Sequence, residues 1–129
     1  MPAMVMLHEE DPKEVILKAV GEIPDGIVFK NQVLCAVYER PTKTRSGIIL
    51  ADQTKDEDQF QGKVCLVVAL GPDAFVDNDD WVFNAKAAVG DWVWFRTSDS
   101  LAFRLNGKLC RAVNDTDIRG KLPHPDMVW

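Results

Sequence analysis

The dipeptide Asn106-Gly107 is the feature that most constrains this chain, because it stands between two runs of alternating residues. Residues 101–105 precede it and residues 108–113 follow it. Asn-Gly favours the tight two-residue turn that joins antiparallel strands, since both residues readily adopt positive φ. The sequence therefore predicts a β-hairpin over residues 101–113.

Further short strands are predicted along the chain, each bounded by turn residues. Residues 32–38, 63–70 and 92–96 are apolar on both alternating faces, which is typical of strands covered on both sides. After a turn at residues 114–117 we expect Ile118 to close the body, ahead of a proline-broken tail. Several short strands separated by turns predict an all-β protein, specifically a small barrel.

One short helix is predicted before the strands. Asp11 is suited to the N-cap, Pro12 to the first helical position, and Gly21 to the C-cap. Glu14 falls at the third helical position, as in a capping box. The expected apolar stripe consists of Val15, Ile16, Ala19 and Val20. A helix this short is marginal alone, so we expect it to pack on the body or on a neighbouring subunit.

Residues 41–62 are polar almost throughout, apart from the run Ile48-Ile49-Leu50 behind Gly47. A segment of this length with so little to bury is predicted to be a mobile loop. Three consecutive aliphatic side chains are costly to leave in water, so they indicate a hook for a partner. The alternative is that residues 47–51 form a short buried strand.

Composition excludes several classes of function. The 129 residues predict one domain, and 47% hydrophobic with 27% charged residues is ordinary for a globular protein. A net charge of −5 argues against a nucleic-acid partner. No apolar run approaches the ~20 residues that cross a bilayer. We therefore expect no membrane partner and a cytoplasmic site of action.

No catalytic constellation is found in the sequence. It contains neither a glycine-rich nucleotide-binding motif nor a GxSxG motif, and its two histidines, His8 and His124, lie near the chain ends. The three cysteines lie far apart in apolar runs and are expected to be buried small side chains. The acidic run at residues 77–80 lacks the glycine and distal glutamate of a calcium loop. We predict no enzyme activity, no metal and no cofactor.

Four sequence features follow one another in an order that resembles a known family. Residues 37–40, VYER, end a strand and lead to the polar loop with Ser46 to Leu50. The segments GKV at 62–64 and VALGP at 68–72 come next, followed by VGDWVWF at 89–95. The hairpin LNGK at 105–108 and the turn at 114–118 close the series. Together these features resemble the GroES-like co-chaperonins over residues 29–122.

The resemblance implies a GroES-like Greek-key β-barrel assembled into a seven-membered ring. It implies that the loop docks on a GroEL-type chaperonin through Gly47, Ile48, Ile49 and Leu50, so that the ring caps the folding cavity. It also implies a second hairpin, over residues 74–88, that forms the roof of the ring. The roof residues are expected to be Phe75, Val76, Trp81, Val82 and Phe83.

The resemblance divides the chain into an arm and helix over residues 1–28, a barrel over 29–122 and a tail over 123–129. The arm, helix and tail are additions to the compact co-chaperonin pattern and look more like a phage-encoded relative, acting in the host cytoplasm. A different hypothesis is therefore a virion protein, one that decorates or cements a capsid by binding the major capsid protein. A small β-barrel enzyme or ligand carrier would require a deep pocket with convergent polar groups.

Overall fold

The computed structural model describes residues 10–39, 49, 64–75 and 86–128. These residues form one antiparallel sheet of six strands in the order β4-β5-β1-β2-β3-β6. The strands are β1 Gln32–Val37, β2 Val64–Leu70, β3 Trp92–Phe95, β4 Ser100–Leu105, β5 Lys108–Asn114 and β6 Ile118–Leu122. The prediction of an all-β fold with one short helix is confirmed.

The central strands β1 and β2 fix where the two long connections leave the sheet. Val37 lies opposite Cys65 at one end of the pair, and Val33 lies opposite Leu70 at the other. The predicted loop, residues 41–62, therefore connects to the sheet at the Val64 end of β2. The predicted roof segment, residues 74–88, follows the Leu70 end. Seven residues of strand separate these two ends by about 20 Å.

The β4–β5 hairpin forms at Asn106-Gly107, as the sequence predicts. Asn106 has φ 51° and Gly107 has φ 83°, which are the two positive angles that a type I′ turn requires. Leu105 pairs with Lys108 directly beside the turn. The local sequence alone therefore sets the register of this hairpin.

Both faces of the sheet are covered, and each cover has its own cluster of buried side chains. The helix-side core contains Leu34 and Ala36 of β1 together with Tyr38, the residue that follows β1. The far-side core contains Val33, Cys35 and Val37. The alternation expected for residues 32–38 is therefore confirmed, since successive residues enter opposite cores. All three cysteines are buried and unbridged, as expected.

The predicted helix is present as α1, Pro12–Val20. The Asp11 carboxylate accepts a hydrogen bond from the Lys13 N–H at 3.0 Å, and the Gly21 N–H donates to the Leu17 carbonyl at 3.1 Å. Of the four-residue apolar stripe, Ile16 and Val20 are buried in the helix-side core, whereas Val15 and Ala19 are exposed. The predicted caps are therefore confirmed, whereas two of the four residues predicted for the apolar stripe are wrong.

The predicted barrel range ends at residue 122, but no strand was predicted within residues 118–122. Ile118 begins strand β6, which pairs with β3 from Phe95↔Ile118 to Trp92↔Leu122. Beyond it, Pro125 is buried and a short 3-10 turn, Pro125–Val128, contacts β2. No helix within the described ranges has both the length and the apolarity needed to cross a bilayer.

Candidate partner-docking site

The stem of the predicted loop is held by a backbone contact between the residue after β1 and the first residue of β2. The Tyr38 N–H donates to the Val64 carbonyl at 3.0 Å. The Tyr38 side chain is buried, and its ring meets the Trp92 ring edge-on with centroids 5.6 Å apart and planes at 75°. This geometry is favourable for an aromatic pair, so the chain leaves the sheet from a fixed position.

An ion pair holds the next residue of the stem. Lys108 Nζ lies 3.7 Å from Glu39 Oε1, and the two side chains are 15% and 31% exposed. Partial burial reduces the screening that makes fully exposed pairs weak. Lys108 is the first residue of β5, so this pair connects the stem to the β4–β5 hairpin.

Of the four predicted docking residues, the structure describes Ile49 alone. Its side chain is 74% exposed, which does not fit a buried strand at that residue. Gly47, Ile48 and Leu50 lie outside the described residues. A single exposed isoleucine is ordinary on a protein surface, so its significance comes from the two aliphatic residues beside it in the sequence.

Of the five predicted roof residues, the structure describes Phe75 alone. Its side chain is buried in the far-side core, so this residue lies at the base of the segment. Val76, Trp81, Val82 and Phe83 lie outside the described residues. The chain returns through Lys86 to Gly90, where the Gly90 N–H donates to the Val67 carbonyl at 2.9 Å.

Asp115 holds Phe75 at the start of the predicted roof segment, and the sequence interpretation missed this role. Its carboxylate is buried and accepts hydrogen bonds from the Phe75 N–H at 3.0 Å and from Asn31 Nδ2 at 2.9 Å. Phe75 has φ 56°, a left-handed conformation that costs a non-glycine residue about 1–2 kcal/mol. Asp115 therefore stabilises a strained residue that lies 40 residues away in the sequence.

Gly71 allows two backbone segments to meet at the same end of the sheet. A Cβ atom at this position would lie 2.3 Å from the Lys30 carbonyl oxygen and 2.9 Å from that of Phe29. The Gly71 N–H donates to the Gln32 carbonyl at 2.8 Å. Glycine is therefore required for the turn after β2 to pack against the segment before β1.

The buried thiols are poorly suited to nucleophilic chemistry. Burial raises the pKa of Cys65 to about 12, with nearby Arg111 acting in the opposite direction. Burial also raises the pKa of Cys35 and of Cys110. The thiolate is the reactive form of cysteine, so these three side chains act as small apolar groups at neutral pH.

The described part of the chain offers little to a small ligand or a metal ion. A cavity of about 180 Å³ lies between residues 23–28 and 68–70, whereas ligand pockets are typically about 300–1,000 Å³. A smaller, shallow cavity of about 80 Å³ lies beside Phe75, at the start of the predicted roof segment. Its lining is formed by Phe75, Lys86, Ala87, Ile118, Arg119, Gly120 and Lys121. Within residues 10–39, 49, 64–75 and 86–128, no three His, Cys, Asp or Glu side chains gather as a metal site.

The region of the chain that contains the sheet matches a family of known proteins. The family described as "Chaperonin 10 Kd subunit" matches residues 27–122. This chain belongs to the chaperonin 10 family. The family region contains all six strands, whereas α1 and the end of the tail lie outside it.

Named relatives in the chaperonin 10 family are co-chaperonins. The chain is 32% identical to "Co-chaperonin GroES" of Bacillus sp. (strain PS3) over 88 residues, covering 68% of this chain and 88% of that protein. It is 33% identical to that of Caulobacter sp. (strain K31) over 91 residues, covering 70% and 88%. It is 28% identical to that of Corynebacterium jeikeium (strain K411) over 90 residues, covering 70% and 86%. The predicted GroES-like resemblance is confirmed, and the family is one of chaperonin subunits rather than enzymes.

Proposed function

We propose that this protein is a co-chaperonin that forms a homo-oligomeric ring and docks on a GroEL-type chaperonin. Docking occurs through Gly47, Ile48, Ile49 and Leu50, and the bound ring caps the cavity in which a client protein folds. The observation that carries the proposal is the 74% exposure of Ile49, in a chain whose family and named relatives are co-chaperonins.

The energetics of such a hook favour weak binding by each subunit and tight binding by a ring. Burying three aliphatic side chains contributes about 5–8 kcal/mol before any cost is subtracted. Ordering loop residues on docking costs about 1–2 kcal/mol for each residue. The two terms nearly cancel in one subunit, whereas several loops on one ring raise the effective concentration enough for tight, reversible binding.

The stem contacts support this proposal because they limit what docking has to order. Tyr38 and Val64 are already hydrogen-bonded, and Glu39 is paired with Lys108. The entropic cost therefore falls on the residues beyond the stem. At the opposite end of β2, residues 74–88 form the roof under this proposal, with Asp115 fixing their base. The site of action is the cytoplasm, and the activity requires no cofactor.

The virion hypothesis has less support. The relatives named above are co-chaperonins, and no contact among the described residues favours a capsid lattice over a chaperonin. Binding to a major capsid protein therefore remains a hypothesis. Absence of the protein from purified particles would eliminate it.

The decisive experiment is binding to a GroEL-type chaperonin in the presence of nucleotide, measured for the wild-type protein and for Ile49→Asp. We expect Ile49→Asp to abolish measurable binding, because a carboxylate cannot enter an apolar groove without a large desolvation cost. Leu101→Asp is the matched control, since Leu101 is 71% exposed in β4. Equal binding by wild type and Ile49→Asp, with oligomeric state unchanged, would eliminate the hook.

A further inference from the structure

Helix α1 lies outside the family region but is built into the sheet that carries the loop. Ile16 and Val20 enter the helix-side core, with Val20 fully buried. The helix packs against β2, the strand that begins at the return end of the loop. Tyr38 and Val64, the two hydrogen-bonded residues of the stem, belong to the same core. An element added to the family fold thus shares its packing with the loop stem.

The β4–β5 turn contacts α1 through one side chain. Asn106 Nδ2 donates to the Val20 carbonyl oxygen at 2.5 Å. Val20 is the last residue of α1, and carbonyl groups in a final helical turn have no partner within the helix. Asn106 therefore acts as a C-terminal cap supplied from a different part of the chain, 86 residues away.

The same turn contacts the loop stem through a second side chain. Lys108, two residues after Asn106, pairs with Glu39. Glu39 follows Tyr38, whose N–H donates to Val64. Residues 106–108 thus connect the end of α1 on one side with the stem of the loop on the other.

We propose that α1 and the β4–β5 turn form a clamp on the loop stem, in which Asn106 and Lys108 are positioning residues. With the Asn106 bond in place, the turn is fixed and Lys108 is held beside Glu39. Without that bond, the turn moves with less restraint and the Tyr38–Val64 pair opens more often. This effect on the stem does not depend on the protein's function.

The consequence for binding rests on the proposed co-chaperonin function. A stem that opens more often adds residues to the segment that docking must order. Each added residue raises the entropic cost of binding. The clamp therefore sets how tightly the docking residues 47–50 bind the chaperonin.

The first test is amide hydrogen exchange on the free full-length protein. Asn106→Asp keeps the size of the side chain and its tolerance of positive φ, but it removes the donor. Losing one hydrogen bond should lower protection roughly 2- to 10-fold at the Gly21 amide, and at the Tyr38 amide if the clamp exists. Asn106→Gly is the second variant, because it removes the same bond and keeps the turn.

Two further variants test which contact protects which amide. Lys108→Met should lower protection at Tyr38 and leave Gly21 unchanged, and combining it with Asn106→Asp should add little at Tyr38. Arg104→Ala is the matched control, since Arg104 donates to the Gly107 carbonyl within the same turn at 3.1 Å without contributing to the contact with Val20. It should leave Gly21 unchanged. Lower protection at Gly21 with unchanged protection at Tyr38 in Asn106→Asp would overturn the clamp.

The second test is chaperonin affinity of Asn106→Asp, which we expect to be roughly 2- to 10-fold weaker than that of the wild type. Lower Tyr38 protection with unchanged affinity would overturn the link between clamp and binding. If the wild-type protein does not bind a chaperonin at all, the proposed function fails, whereas the exchange experiment still decides whether the clamp exists.

Discussion

The Asp115 side chain makes two contacts at the end of the sheet where β2 ends and the predicted roof segment begins. It accepts hydrogen bonds from the backbone of Phe75 and from the side chain of Asn31. Its own N–H donates to the Asn31 carbonyl at 3.0 Å. One side chain thus joins the turn after β5, the turn after β2 and the segment before β1.

We predict that Asp115→Asn lowers the free energy of unfolding by about 1–2 kcal/mol, because a neutral amide replaces the carboxylate that accepts hydrogen bonds from the Phe75 N–H and from Asn31. Urea denaturation monitored by tryptophan fluorescence measures the change. Asp117→Asn is the control, since Asp117 accepts its bond from Asn114 in an exposed setting and should change stability by less than about 0.5 kcal/mol. Equal effects of the two substitutions would contradict this role of Asp115.

The buried Cys65 thiol makes the free energy of unfolding depend on pH in the alkaline range. Its pKa is raised from 9.0 to about 12 in the fold, so the native state holds the thiol proton more tightly than the unfolded state does. The associated stability is fully present below pH 9 and is lost as pH rises toward 12. Above pH 9 the free energy of unfolding should fall by up to about 1.4 kcal/mol per pH unit on this account alone.

Comparison with Cys65→Ala isolates this effect, because the other titrating groups are shared by both proteins. Urea denaturation of both proteins at several pH values between about 8 and 10.5 provides the measurement. The stability advantage of the wild type over Cys65→Ala should shrink steadily above pH 9. Parallel pH profiles would show that the Cys65 thiol ionises no less readily in the fold than in the unfolded chain.

Among the elements, α1 contributes to stability through one face only. We predict that Val20→Ala lowers the free energy of unfolding by about 1.5–3 kcal/mol, because a fully buried valine loses its apolar contacts. Val15→Ala is the matched control on the same helix. Val15 is 47% exposed, so this change should alter stability by less than about 0.5 kcal/mol. Similar losses from both substitutions would mean that the helix packs differently.

The elements that sequence patterns predicted are those with strong local signals. Residues 32–37 and 64–70 are apolar on both faces, and the Asn106-Gly107 turn sets its own register. Strand β6 was missed because Arg119, Gly120 and Lys121 interrupt the apolar alternation. That strand is specified by its pairing with β3, a contact that no local pattern records.

The candidate site was predictable in part for the same reason. The run Ile48-Ile49-Leu50 stands out because polar residues surround it, but its pattern also fits a short buried strand. The exposure of Ile49 depends on the rest of the fold. The stem contacts Tyr38–Val64 and Glu39–Lys108 and the role of Asp115 join residues far apart in sequence, so no window of sequence contains them.

At the scale of the whole molecule, the proposed function depends on several copies of a weak hook acting together. A ring carrying many loops gains affinity from effective concentration, so losing some of the loops should cost far more than a proportional share of the binding. Subunits that bind independently would lose binding capacity in proportion to the number of altered loops, with no change in affinity. Rings that mix wild-type and Ile49→Asp subunits distinguish these two cases.

We predict that chaperonin affinity falls steeply and nonlinearly as the fraction of Ile49→Asp subunits in mixed rings rises. Subunits would be co-purified after mixing in known ratios, with the size of the assembly checked by analytical ultracentrifugation and affinity measured by surface binding. Rings mixed with Leu101→Asp subunits provide the control and should bind as the wild type does. A loss of capacity in proportion to the Ile49→Asp fraction, with unchanged affinity, would show that each subunit docks alone. In that case a single loop would have to gain clearly more free energy from apolar burial than it loses when its residues become ordered.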